Sequence, residues 1–110
     1  MSFGPHDHRM WAAIGIYSGA EDNSVYRRAG DSLATSGSRS LRSGDVALLG
    51  DDTIHAVANP TADFAGAIHI YGGDFFATPR SEWRGQPYRE QPYDVNYTLD
   101  YFEQANRTLV

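Results

Sequence analysis

Short apolar runs, each stopped within a few residues by glycine, aspartate, asparagine or proline, constrain this chain more than any other feature. Residues 10–17, 46–49, 54–58, 67–71 and 74–78 are too short to be core helices and are bounded by turn formers such as Ser18-Gly19, Gly50-Asp51-Asp52, Asn59-Pro60, Gly72-Gly73 and Pro79. No amphipathic helix separates them, so no βαβ unit fits, and the spacing predicts an all-β barrel or sandwich. At 110 residues the chain is one domain, with room for a core but little spare length around a cavity.

The segments between these runs read as connections. Residues 10–17 form a strand buried on much of both faces, Glu21, Asp22 and Asn23 a polar turn, and residues 24–28 the returning strand of a hairpin. Residues 31–43, rich in serine and glycine, read as a loop with a short strand or turn inside it, anchored by Leu33 and Leu41, and residues 81–93 as an ordered arm with little regular structure. From Asp94 onward Val95, Leu99, Phe102 and Leu109 fall near a 3.6-residue period, with Asp94 as cap and Pro92 just outside. This predicts a β-domain over residues 1–93 and a helix over 94–110 packed upon it. Trp11, Tyr17, Phe75 and Phe76 read as core aromatics.

A net charge of -5, with no basic tract, argues against nucleic acid and against an anionic membrane surface. No run reaches the roughly 18 apolar residues of a membrane span, and no signal peptide opens the chain. There is no cysteine, which fits a reducing cytoplasm and leaves His, Asp and Glu as the ligands for any metal.

Those ligands have a pattern. His6 and His8 are separated only by Asp7, so on an extended backbone both rings point to one side, and His55 stands at the start of an apolar run. Three neutral imidazoles can converge on one divalent metal: zinc would add a water, whereas iron(II) would keep positions open for oxygen and substrate. Asp7 faces the other way and reads as a solvated carboxylate. His69 and Tyr71 form a second alternating pair that would stand beside the metal without ligating it, a phenol to donate a proton and an imidazole to orient it. Glu21 reads as part of a turn or as support for the site; Asp51 and Asp52 read as turn residues, with a hydrogen bond from one of them to His55 as the alternative. The plainer alternatives are histidines on a fraying terminus, a buried His55 bonded to a backbone carbonyl, and a core tyrosine.

Gly4-Pro5-His6-Asp7-His8 with the Trp11 to Tyr17 strand, then Gly44-Asp45-Val46-Ala47-Leu48-Leu49 and Ile54-His55-Ala56-Val57-Ala58-Asn59-Pro60, resembles the two halves of a cupin metal site. The sharper likeness is to bacterial relatives of cysteine dioxygenase, in the thiol dioxygenase group. That resemblance implies a double-stranded β-helix (jelly roll), with His6, His8 and His55 holding iron(II), or zinc or nickel as isolated, and His69 and Tyr71 as catalytic neighbours. It implies a small thiol and dioxygen as substrates and a sulfinate as product; the alternatives are a non-thiol oxygenase or isomerase, a non-catalytic binding module, or a fragment. Two departures stand out. Arg9, Met10, Trp11 and Ala12 occupy the interval where cupins carry a glutamate ligand, and no cysteine is present to crosslink to tyrosine. The likeness covers the later half to two thirds of a family member, which implies a barrel that is incomplete or completed by strand exchange in a homodimer. It also leaves Arg9, Arg27, Arg28 or Arg80 to replace the arginine that grips a substrate carboxylate.

Overall fold

The computed structural model describes residues 2–108, with side-chain surroundings through residue 104. In chain order the described elements are β1 (Ser2–His6), β2 (Ala12–Ser18), β3 (Ala20–Ala29), β4 (Ser32–Arg42), β5 (Val46–Leu49), β6 (Ile54–Ala58), β7 (Gly66–Tyr71), β8 (Ser81–Arg84), β9 (Arg89–Pro92) and α1 (Val95–Thr108). They form two sheets, one of six strands in the order β4-β3-β6-β1-β8-β9 and one of three in the order β5-β2-β7. Every strand pair is antiparallel. The result is an all-β, two-sheet sandwich with a C-terminal helix; among the described residues the sheets do not close into a barrel.

Alternation along β2 builds the apolar part of the interior. Ala12, Ile14 and Ile16 are buried while Tyr17 is exposed, and the buried residues pack with Leu41 of β4 and Ala47 of β5. Burial of each large member contributes about 1.5–3 kcal/mol. The expectation of a strand buried on both faces is therefore corrected. Trp11, Tyr17 and Phe76, expected in the core, are 50%, 66% and 69% exposed. Trp11 and Tyr17 instead lie flat over glycines of the neighbouring chain segment: a Cβ at Gly72 would overlap the Trp11 ring, and one at Gly66 the Tyr17 ring. A large ring thus covers backbone that carries no side chain.

Several connections are strands. Residues 20–23, expected as a turn, open the ten-residue β3, and the loop over 31–43 is mostly the eleven-residue β4. β3 pairs with β4 and β6 and not with β2, so the expected hairpin between the first two runs does not form. β4 has the composition of a loop because it is an edge strand, where serine and arginine face water and discourage further pairing. The arm over 81–93 contains the β8-β9 hairpin, which buries Trp83. Conversely, residues 74–78 are a turn and not a strand. Asp74 Oδ1 accepts from the backbone N–H of Phe76 at 3.0 Å and of Ala77 at 2.9 Å, a local closure that competes with sheet pairing.

α1 begins as its sequence predicts, with Asp94 Oδ1 accepting from Tyr97 N–H at 3.2 Å. Its contacts run through Tyr101 and Phe102, whose rings lie 5.3 and 5.1 Å from Phe3 of β1, while Leu99 is 53% exposed. Leu109, the last expected member of the apolar stripe, lies outside the described residues. No described helix is long and apolar enough to cross a membrane.

Candidate metal centre

The N-terminal segment, for which fraying was the plainer alternative, is an inner strand. β1 lies between β6 and β8 in the six-stranded sheet, with Phe3 opposite Val57 and His6 opposite both His55 and Glu82. From Phe3 to His6 is three residues, whereas Val57 to His55 is two, so β1 carries one extra residue at Gly4-Pro5. A bulge is a place where a strand tolerates proline, and it re-aims the side chains beyond it. Here it brings His6 and His55 opposite one another. Past the end of the strand, Arg9 has a φ of 54°, a left-handed turn that sends the chain on toward β2 just after His8.

Asp7 locks this turn. Its side chain is 2% exposed, not solvated as expected; Oδ1 accepts from Ser81 N–H at 2.8 Å, and Oδ2 pairs with Arg9 Nε at 3.1 Å. Alternation gives its direction correctly, but its environment is made by β8, which has no strand pattern of its own.

His6, His8 and His55 come together: one ligand atom from each lies within 4.8 Å of the others, and the ring centroids are 4.7–5.1 Å apart. His8 and His55 are 3% and 1% exposed. Burial holds the His8 ring down to about 3 and the His55 ring to about 2, with the neighbouring histidines adding to the effect. Burial also lowers His6, against a hydrogen bond to Gly4 that acts the other way. The rings are therefore neutral at pH 7, as metal ligation requires. His6 Nδ1–H donates to the Gly4 carbonyl at 2.8 Å, which leaves Nε2 with a free lone pair. His55 Nδ1 meets Asn23 Oδ1 at 2.9 Å, and its buried Nε2 has no hydrogen-bond partner. An orphaned buried nitrogen beside two more imidazoles is costly without a cation and satisfied with one. These residues fit a divalent metal.

Across the sandwich, β7 turns His69 and Tyr71 inward while Ile68 and Ile70 face out. The Tyr71 ring centroid is 5.0 Å from that of His8, and its hydroxyl is 3.4 Å from His69 Nδ1. Burial pushes the Tyr71 phenol up to about 12, with the Tyr93 phenol adding to it. His69 Nε2 meets Glu21 Oε2 at 3.2 Å. Burial works to raise the Glu21 carboxyl, but hydrogen bonds from His69 and Asn23 overcome it and leave it lowered, so Glu21 is a carboxylate. Asp51 and Asp52 are exposed turn residues, as expected, and the hydrogen-bond partner of His55 is Asn23 and neither of them.

A cleft of about 980 Å³ adjoins the histidines. Its walls include Glu21, His69 and Tyr71, the aromatic side chains of Phe3, Phe75 and Tyr93, and Thr98, Tyr101 and Phe102 of α1. Arg9, Arg27, Arg28 and Arg80 are not among its described lining. Arg28 is engaged with Glu90 at 2.7 and 3.1 Å. Arg80 is buried behind the site, its guanidinium 4.2 Å from the Phe75 ring centroid and 3.6 Å from that of Tyr93, donating to the carbonyls of Asp7 and Phe75.

Sequence reasoning missed Asn23 and underweighted Glu21. The signal was present: Glu21-x-Asn23 repeats the alternation of His6-x-His8, but it counts only if the segment is a strand. No family model matches the chain.

Proposed function

We propose that this protein is a metal-dependent oxygenase of the cupin type, in which His6, His8 and His55 hold iron(II) and a small thiol is converted with dioxygen to a sulfinate. The observation that supports it most is the convergence of three neutral imidazoles, two buried and one half-buried, beside a cleft of about 980 Å³. Bound there, iron(II) would supply open positions at which a thiol sulfur and dioxygen meet, so that both oxygen atoms pass to sulfur and the thiol proton is released. The residues of the chain do the rest. Tyr71 stays protonated at neutral pH and lines the cleft, and His69, anchored on Glu21, holds the phenol in place. Phe3, Phe75 and Tyr93 give the cleft aromatic walls beside the histidines.

The volume of the cleft favours a second reading. About 980 Å³ lies at the upper end of the roughly 300–1,000 Å³ of small-molecule sites and exceeds what a small thiol needs. A non-thiol oxygenase or isomerase using the same ligands on a larger apolar substrate fits that space. A non-catalytic module would need no such cleft.

Elemental analysis of protein purified without added metal, with His55→Ala as control, tests the site. Near-stoichiometric iron in the wild type and none in the variant is expected; a wild type free of any metal would overturn the metal reading. Iron-loaded protein that consumes no oxygen with any of a panel of small thiols would overturn the thiol reading alone.

The homodimer is also a proposal, with a second copy of the chain seated on the outer face of the three-stranded sheet. Trp11, Tyr17, Val46, Leu48, Ile68 and Ile70 are 50–80% exposed there. Together they present on the order of 700 Å², near the roughly 800 Å² per partner of a standard interface. Light scattering should give twice the 12.2 kDa chain mass, and Leu48→Lys should give the monomer. A monomeric wild type at high concentration would remove the dimer.

A further inference from the structure

An unbroken line of hydrogen bonds joins a metal-facing histidine to the tyrosine on the opposite sheet. His55 Nδ1 meets Asn23 Oδ1 at 2.9 Å, Asn23 Nδ2 donates to Glu21 Oε1 at 3.0 Å, Glu21 Oε2 meets His69 Nε2 at 3.2 Å, and His69 Nδ1 meets the Tyr71 hydroxyl at 3.4 Å. Glu21 and Asn23 are 8% and 5% exposed, so water does not substitute freely for these partners.

The carboxylate at the centre sets the direction of every bond in the line, because it can only accept. Asn23 must turn its NH₂ group toward Glu21; the reverse orientation would press two acceptors together at 3.0 Å. Its amide oxygen is thereby left facing His55, and an amide oxygen also only accepts. His55 must then carry its hydrogen on Nδ1, and the lone pair falls on Nε2, the buried atom that lacks any other partner. On the second arm, His69 must donate to Glu21 from Nε2. In the neutral ring Nδ1 is then an acceptor, and the Tyr71 hydroxyl hydrogen points to it.

We infer that Glu21 is a positioning residue: through Asn23 it selects the nitrogen that His55 presents to the metal, and through His69 it aims the hydroxyl hydrogen of Tyr71. His6 shows the contrast. Its tautomer is set locally by the Gly4 carbonyl at 2.8 Å, whereas that of His55 depends on a charge two side chains away. One carboxylate therefore governs two sheets. The consequence for metal affinity rests on the metal-site reading above; the tautomers do not.

Long-range ¹H–¹⁵N spectra of metal-free protein, labelled at its four histidines, read the tautomers directly at pH 7. In the wild type His55 should be protonated on Nδ1 and His69 on Nε2. Glu21→Gln keeps the shape but offers one acceptor and one donor. It can satisfy only one arm as before: with its oxygen toward Asn23, its NH₂ group drives His69 to the Nδ1–H form and reverses the bond to Tyr71; with its NH₂ toward Asn23, the Asn23 amide turns over and drives His55 to the Nε2–H form, so one of the two tautomers should change. Asn23→Ala should leave His69 as it was, release the His55 tautomer, and weaken cobalt(II) binding, followed by its visible absorption, about 10–100-fold. Wild-type His55 protonated on Nε2 would overturn the inference without any variant, and so would His55 and His69 both unaltered in folded Glu21→Gln. A wild type that takes up no cobalt would sink the metal reading, and the tautomer pattern would still decide the role of Glu21.

Discussion

Ile14, Ile16, Leu41 and Ala47 fill one part of the space between the sheets, and His6, His8 and His55, faced by Tyr71, form a polar cluster across the same layers. Burial in the two is similar: Leu41 is 0% and His55 1% exposed. The apolar cluster is held by contacts that have no direction and tolerate swaps of similar volume. The histidine cluster needs a bulge at Gly4-Pro5, a left-handed residue at Arg9, a buried Asp7 and a carboxylate on β3 to aim its rings. Neutral rings with an orphaned nitrogen cost stability, so the free energy that holds the site together comes from the other part of the molecule.

The sharpest way to break this comparison is to cross the two clusters. His55→Ala should weaken cobalt(II) binding by more than the roughly 100-fold upper end seen for partners of metal ligands, because it removes a ligand itself. Leu41→Ala should do the opposite. It should destabilise the fold by about 2–5 kcal/mol in a urea melt, yet leave the affinity of the folded protein within about twofold. If Leu41→Ala lost metal as His55→Ala does, the two clusters would be one cooperative unit and the division drawn between them would fail.

Much of the apolar part could be read from the chain, and less of the polar part. Alternation at Ala12, Ile14 and Ile16, the runs at Val46–Leu49 and Ile54–Ala58, and the Asp94 cap come from local pattern, and the structure has them. β3 escaped because a strand that lines a polar site on one face and meets water on the other has the composition of a loop, and β4 because it is an edge strand that mostly faces water. The same cause hid Asn23. His6, His8 and His55 were visible as ligand types at strand spacing, but their meeting depends on a one-residue bulge, and the buried state of Asp7 depends on a strand more than seventy residues away in sequence. Trp11 and Tyr17 were misplaced because hydrophobicity says nothing of a neighbouring glycine that invites a ring to lie upon it.

The remaining effect is graded rather than all-or-none, and it separates the clusters by pH. Burial lowers His6 and holds His8 near 3 and His55 near 2, whereas in the unfolded chain each ring titrates near its ordinary 6.5. Below that value the unfolded chain takes up protons that the folded protein refuses. The stability these rings contribute is therefore full above 6.5 and lost as pH falls toward 3 and 2, by about 1.4 kcal/mol per pH unit for each ring fully protonated only in the unfolded state. The apolar cluster adds no slope. Between pH 6.5 and 5 the carboxylates have scarcely begun to titrate, so urea melts of metal-free protein in that window report mainly on histidine. Leu41→Ala should lower the curve without changing its slope, and His8→Gln should make it shallower. A wild-type curve that is flat from 6.5 to 5 would mean that the folded protein protonates its histidines as readily as the unfolded chain, and the rings would then be reachable by water and not walled in by the sandwich.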